Sequence, residues 1–304
     1  MTSPAFSTCW NSARHTRGDQ MLAEICALGF RRVELGHGIR LSLWEGVEAY
    51  LGGNDVEVTS MHNFCPLPLE ILRADPDCYQ CTSHRSEERE RAQRFTRQTL
   101  EHAARLKVTR VVLHLGSVPI AAYTERLVGL AAAGLSLSRK YVRTKLAALK
   151  AREGFDYLDR VRDWLLPLAA YGRELGITLG VENRIGIETF PSEREFIPLL
   201  DTPGLENVGY WHDFGHAQVR ANLHWIDHRQ WLEGMVPRLV GCHIHDVQFP
   251  DADHLPPGLG MVAFPGLLPL LPNNLLMVWE MAPRTLPAEI VTALGRWQER
   301  FPSP

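Results

Sequence analysis

Apolar and polar positions alternate along this chain between two spacings. Short β-rich runs occur at FSTCW (6–10), RRVEL (31–35), VEVTSMH (56–62) and VTRVVLHLG (108–116), then at ITLGVEN (177–183), VGYWHD (208–213), LVGCHIHD (239–246) and LLMVWEM (275–281). Each reads as a strand. Helical spacing fills the intervals at 21–30, 41–51 and 86–106, through a long region ending near 175, and at 192–200, 227–236 and 288–300. Ser192 and Glu195 stand at capping-box spacing before one of these helices, and Asp227 and Gln230 can cap another.

Eight strand-then-helix units without a low-complexity linker imply a parallel sheet, and eight of them in one chain suit an α/β fold of the closed (β/α)8 TIM barrel type. An open doubly wound sheet is the competing arrangement. It would carry a glycine fingerprint after its first strand, whereas STCWNSARH contains no glycine. The expectation is therefore one barrel domain over residues 1–304. Residues 117–155, after the fourth strand, exceed what a βα connection needs and predict a helical insertion over the barrel mouth.

Composition narrows the picture only at its edges. The 304 residues are 45% hydrophobic and 22% charged, with a net charge of −3, so nothing global advertises a polyanion partner. No apolar run approaches the about 18 residues of a membrane span. The N-terminal MTSPAFSTCWNSARH has no basic segment followed by an apolar one, unlike a secretory signal. Six scattered cysteines fit reduced thiols, and with them a cytoplasmic location. Cys78 and Cys81 form a lone CxxC with no second pair at zinc-ribbon spacing.

The chemistry-bearing residues concentrate at the C-terminal ends of the strands, where barrels of this type build their sites. In order these are Trp10 and Asn11, Glu34 and His37, His62 and Asn63, His114, Glu182 and Asn183, and Asp213 with His216. His243, His245 and Asp246 follow, then Glu280, with Asp251, Asp253 and His254 in the loop after the seventh strand. Unpaired carboxylates converging on one mouth would be costly through desolvation and repulsion, and a divalent cation is the simplest remedy. Mixed imidazole and carboxylate donors suit zinc, manganese, iron or cobalt. His243 and His245 share one strand face, and His245, nearer the mouth, is expected as the ligand, with His243 one layer deeper beside it. Glu34 and His37 are expected to shape the pocket. Trp10 and Trp211 read either as apolar walls for a substrate or as core packing. Arg284 could reach an anionic group or form a surface salt bridge.

These motifs, in this order, resemble the xylose-isomerase-like TIM barrels, the superfamily that joins sugar isomerases and epimerases with endonuclease IV (AP endonuclease family 2). GVEN, WHDFGHA, CHIHD and VWEM match the places where the tagatose/psicose 3-epimerase branch holds one metal. The resemblance thereby implies Glu182, Asp213, His245 and Glu280 as ligands, with Glu182 and Glu280 also catalytic. It implies that His216 touches substrate or a further metal, and HLPPGLG (254–260) is similar to the loop after strand seven. The endonuclease IV branch holds three zincs, and His62, His114 and His254 stand where it has extra histidines. Ala252 replaces an aspartate of that branch, so Asp251 or Asp253 would have to substitute. One to three ions per chain are compatible with these residues.

The resemblance implies an isomerase or epimerase acting on a sugar or polyol ketone, by proton transfer through a metal-stabilised enediolate. His62 and His216, with Asn183 and His243 beside them, would contact the substrate. A lyase or dehydratase on a keto-sugar would use the same apparatus. The alternative is an endonuclease IV-like zinc phosphodiesterase on abasic DNA, which needs a basic groove; Arg14, Arg17 and Arg40 lie in loops on the expected face. The expected partner is thus a small sugar-like molecule, with nucleic acid as the competing one, no membrane, and a homo-oligomer compatible with apolar barrel helices.

Overall fold

The computed structural model of the protein describes residues 3–302. Its strands are β1 (Ala5–Ser7), β2 (Arg32–Leu35), β3 (Glu57–His62), β4 (Arg110–Leu113), β5 (Thr178–Glu182), β6 (Val208–Asp213), β7 (Leu239–Ile244), β8 (Asp246–Gln248), β9 (Ala252–Leu255) and β10 (Met277–Trp279). Strands β1 to β7 and β10 pair in parallel and close into an eight-stranded barrel, β10 lying between β7 and β1. β8 and β9 form a separate antiparallel hairpin on the loop after β7. The helices are α1 (Gly18–Ala27), α2 (Leu41–Gly53), α3 (Ser86–Arg105), α4 (Tyr123–Ala132), α5 (Arg139–Glu153), α6 (Leu158–Glu174), α7 (Glu193–Leu200), α8 (Phe214–Asn222), α9 (His228–Met235), α10 (Phe264–Leu267) and α11 (Pro287–Arg300). The expected (β/α)8 TIM barrel is the observed fold. No helix among the described residues is long and apolar enough to cross a membrane.

Strand alternation divides the core in two. Outward residues such as Val33, Met61, Val111, Leu179, Tyr210 and Ile244 pack with the helices in one large cluster, while Ala5, Val112, Trp211, Leu276 and Val278 form a small separate one. Trp211 is fully buried, and glycine opposite it makes the room. A Cβ on Gly241 would lie 2.1 Å from the indole ring, so any side chain there would collide with it. The indole lies 5.1 Å, centroid to centroid, from the ring of His243 and forms an apolar floor beneath the polar end of the barrel.

The predicted caps appear at the helix starts. Asp227 accepts the backbone N–H of Gln230 at 2.8 Å, and the Ser192 N–H donates to Glu195 at 2.6 Å. Helices α4 and α5 occupy the segment after β4. They are braced sideways: the Tyr141 hydroxyl donates to the carbonyl of Leu223, and Arg152 bonds the carbonyl of Ile187 and the carboxylate of Glu195.

Candidate metal centre and active site

Four side chains meet above the Trp211 floor. Glu182 and Asp213 end β5 and β6, His243 lies in β7, and Glu280 follows β10; all four are buried. His243 Nδ1 is 3.3 Å from Glu182 Oε1, 3.2 Å from Glu280 Oε2 and 3.7 Å from Asp213 Oδ2. On the opposite side of the ring, His243 Nε2 is 3.2 Å from both oxygens of Glu34, which also accepts the Ser60 hydroxyl at 2.8 Å. A carboxylate only accepts, so Glu34 fixes the ring proton on Nε2 and turns the Nδ1 lone pair toward three carboxylates. Positive charge is therefore required at that point.

A divalent ion fits there. Ligand atoms bound tetrahedrally at about 2.0–2.2 Å stand roughly 3.3–3.6 Å apart, close to the 3.2, 3.3 and 3.7 Å between Nδ1 and the three carboxylates. Without an ion the protein must supply a proton instead. Burial opposes protonation of His243, but Glu280, Glu34 and Glu182 hold its pKa well above the ordinary imidazole value. Burial likewise opposes ionisation of Glu182 and Glu280. His243 with His216 and His62 holds Glu182 well below the usual carboxylate range, and His243 with His254 does so for Glu280.

The sequence predicts His245 in this group, but the structure puts His243 there. Strand register is the reason: Asp213 of β6 pairs with His243 of β7, so residue 243 lies level with the carboxylates and 245 lies one step beyond. His245 Nε2 sits 3.0 Å from the Asp213 carboxylate, while its Nδ1 accepts the backbone N–H of His254 at 2.9 Å. Its ring packs so closely on Gly215 that a Cβ there would lie 1.9 Å away.

Two further clusters of ligand-type residues flank the inner group: His62 with His114 and Glu182, and His216 with His245 and His254. In the first, His62 Nε2 and His114 Nε2 lie 3.2 and 2.9 Å from Glu182 Oε2. His62 Nδ1 donates to the carbonyl of Asn63 at 2.9 Å, which leaves its Nε2 lone pair facing that oxygen. In the second, His216 Nδ1 is held 3.0 Å from the Asn183 carbonyl and His254 Nδ1 3.0 Å from Asp253. The His254 ring stacks on that of His245 with centroids 4.1 Å apart. Burial opposes protonation of both outer rings. Asp213 and Glu182 nonetheless raise the pKa of His216, and Asp253 with Glu280 raises that of His254. Of the two candidate aspartates in this loop, Asp253 faces the site and Asp251 is exposed.

Asp246 holds this loop in place. Its two oxygens accept the backbone N–H groups of Val247, Gly258, Gly260 and Val262, each at 2.9 Å, pinning both ends of the segment that carries Asp253 and His254.

A cavity of about 380 Å³ opens over the cluster, with Cys9, His37, His62, Arg184, His254 and Glu280 on its wall and Arg284 also lining it. Arg284 is exposed and has no ion pair among the described residues. Trp10 and Trp211 do not reach the cavity. Trp10 is 1% exposed and donates its indole N–H to the carbonyl of Thr285, and Trp211 belongs to the barrel floor. Asn183 also lies behind the wall: it accepts the Asp213 N–H at 2.7 Å and donates to the Asp213 carbonyl at 3.0 Å. None of residues 117–155 lines the cavity; the loop after β3 does so instead, through Pro76.

Three contributors escaped the sequence reading. Cys9 donates its thiol to Glu280 Oε1 at 3.2 Å; burial and Glu280 push its pKa well up, so it stays protonated. Arg184 contacts His114, and Asp77 pairs with Arg184 at 3.0 Å. Arg184 adjoins the GVEN motif, which is the signal that could have marked it. Nothing in the spacing of Cys9 or Asp77 distinguishes either from a neighbouring surface or core residue.

A parallel barrel with an acidic and imidazole cluster at the C-terminal ends of its strands defines the class. The chain belongs to the xylose isomerase-like TIM barrel family, whose model matches residues 22–294. No curated protein matches it in sequence. Among solved structures it resembles a D-tagatose 3-epimerase-like protein (17% identity, TM-score 0.69, covering 98% of this chain and 96% of that one). It also resembles 3-keto-D-glucoside 4-epimerase, YcjR, from E. coli (16% identity, TM-score 0.68, covering 98% and 100%). A third similar structure is D-allulose 3-epimerase from Methylomonas sp. in complex with D-allulose (14% identity, TM-score 0.61, covering 99% and 100%). At these identities the likeness is one of fold.

Proposed function

We propose that the protein is a divalent-metal-dependent isomerase or epimerase of a sugar or related polyol ketone, with Glu182, Asp213, His243 and Glu280 holding the ion. The observation that carries this reading is the convergence of three buried carboxylates on His243 Nδ1, at a separation suited to one small cation. A bound zinc, manganese, iron or cobalt ion would polarise a substrate carbonyl and its neighbouring hydroxyl, acidifying the C–H between them. Each glutamate turns one oxygen toward His243 and keeps a second: Glu182 Oε2 beside His62 and His114, and Glu280 Oε1 beside the Cys9 thiol. One glutamate removes the proton, and the other returns a proton to the opposite face of the carbon. His62, His216 and His254 orient the hydroxyls, and the names of the similar solved structures are those of sugar epimerases.

The test is solvent exchange. Metal-loaded protein incubated with ketoses in deuterium oxide is expected to introduce deuterium next to the carbonyl. Glu280→Gln should keep its fold and lower that exchange by roughly 10²–10⁴-fold. Full exchange in Glu280→Gln removes the two-carboxylate mechanism, and no exchange by the unaltered protein across a ketose panel removes the isomerase reading. Release of an unsaturated product would mark a lyase. The two flanking clusters favour a second reading, an endonuclease IV-like phosphodiesterase; it requires three zincs per chain and incision of an abasic duplex.

A further inference from the structure

Arg184 follows Asn183 in the loop after β5 and lines the cavity. Its Nη1 lies 2.7 Å from His114 Nε2 and 3.0 Å from Asp77 Oδ2. A guanidinium nitrogen only donates, so Arg184 competes with Glu182 Oε2, 2.9 Å away, for the one outward face of His114 Nε2. His114 Nδ1 lies 3.4 Å from Asp77 Oδ2, so a single carboxylate stands beside both the arginine and the histidine.

Arg184 stands against the nitrogen that a metal would need in order to join His114 to His62 and Glu182. Both imidazoles approach the same oxygen, Glu182 Oε2, and the three residues could otherwise gather around one ion. A guanidinium 2.7 Å from that nitrogen occupies the place of a metal on it and repels a second positive charge. We propose that Arg184 is the resident cation of this outer cluster and excludes a second metal from it. The chain then keeps its ion in the inner group and leaves Glu182 Oε2 beside its two imidazole neighbours without a second metal on it. Asp77, reaching in from the loop after β3, is the positioning residue that holds the guanidinium against His114. The inference rests on reading the inner group as a metal site.

Zinc binding measured by equilibrium dialysis and elemental analysis tests this without reference to activity. Four proteins are compared, each checked for an intact fold by thermal melting: the unaltered chain, Arg184→Met, His114→Gln and the double variant. Removing the guanidinium should add one zinc per chain to Arg184→Met, and His114→Gln in that background should take it away again. In the unaltered protein His114→Gln should leave the zinc count unchanged. Arg184→Lys, which keeps a cationic donor, should bind less of the added zinc than Arg184→Met. The proposal is overturned if His114→Gln alone loses a zinc, or if Arg184→Met binds no more zinc than the unaltered chain. Zinc bound by none of the proteins would overturn the inner site along with the proposal.

Discussion

Histidines of similar burial differ here because of the atom each ring nitrogen faces. His243 has Glu34 on one nitrogen and three carboxylates on the other, whereas His245 spends one nitrogen on a backbone N–H and the second on Asp213. The first arrangement presents a lone pair to a cation, and the second holds a carboxylate in position. Glu34 is thus a supporting residue whose loss should be felt at the metal. Glu34→Gln is expected to weaken zinc binding by roughly 10–100-fold in chelator competition while the barrel stays folded; unchanged affinity would contradict the role assigned to Glu34. CHIHD made clear that both rings face inward, but not which of them is level with Asp213. That depends on pairing between β6 and β7, which no single strand's sequence contains.

At the scale of elements, β6 and α8 form one unit. Asp213 ends the strand and accepts the His216 N–H at 2.6 Å, capping the helix that carries His216. Behind it the Tyr210 hydroxyl lies 2.8 Å from His212 Nδ1, and His212 Nε2 lies 3.1 Å from His228 Nε2 on α9. Burial pushes the His228 pKa down to about 4, and burial with His228 and His216 pushes His212 well below its ordinary value. Both rings are neutral in the folded protein and titrate near pH 6.5 when unfolded. The unfolded chain therefore takes up protons first, and stability should be lost as pH falls from about 6.5 through about 4. Thermal melts across that window should show the decline, and His228→Gln should flatten it; an identical pH profile in the variant would contradict the assignment. Asp246 acts on the loop in a comparable way. Asp246→Ala leaves four backbone N–H groups without their acceptor and should lower the melting temperature and weaken ligand contacts made by His254.

Strands and most helices were legible from periodicity and capping residues. The placement of α4 and α5 and the reach of residues 63–85 were not, because helical spacing reports a helix without reporting the surface it packs on. Pro76 comes to the cavity, and Asp77 to Arg184 on its wall, from a segment with neither strand nor helix spacing.

For the whole molecule, an apolar interior closed by Trp211 supports a polar mouth. Gly180 in β5 and Gly241 in β7 leave room for the indole, which packs beneath the ring of His243. Trp211→Ala should destabilise the barrel by about 3–5 kcal/mol in denaturant unfolding; a loss below about 1 kcal/mol would mean the floor is not tightly packed. From sequence alone Trp211 read equally as floor or as substrate wall, since an inward position says nothing of depth along the barrel axis. The inner carboxylates were legible because each ends a strand, and the closed barrel brings such ends together. The most direct test of the account is zinc affinity in His243→Gln compared with His245→Gln, both confirmed as folded. Loss of the tightly bound ion from His243→Gln, with its retention in His245→Gln, is the predicted result; the reverse would contradict the metal centre described here.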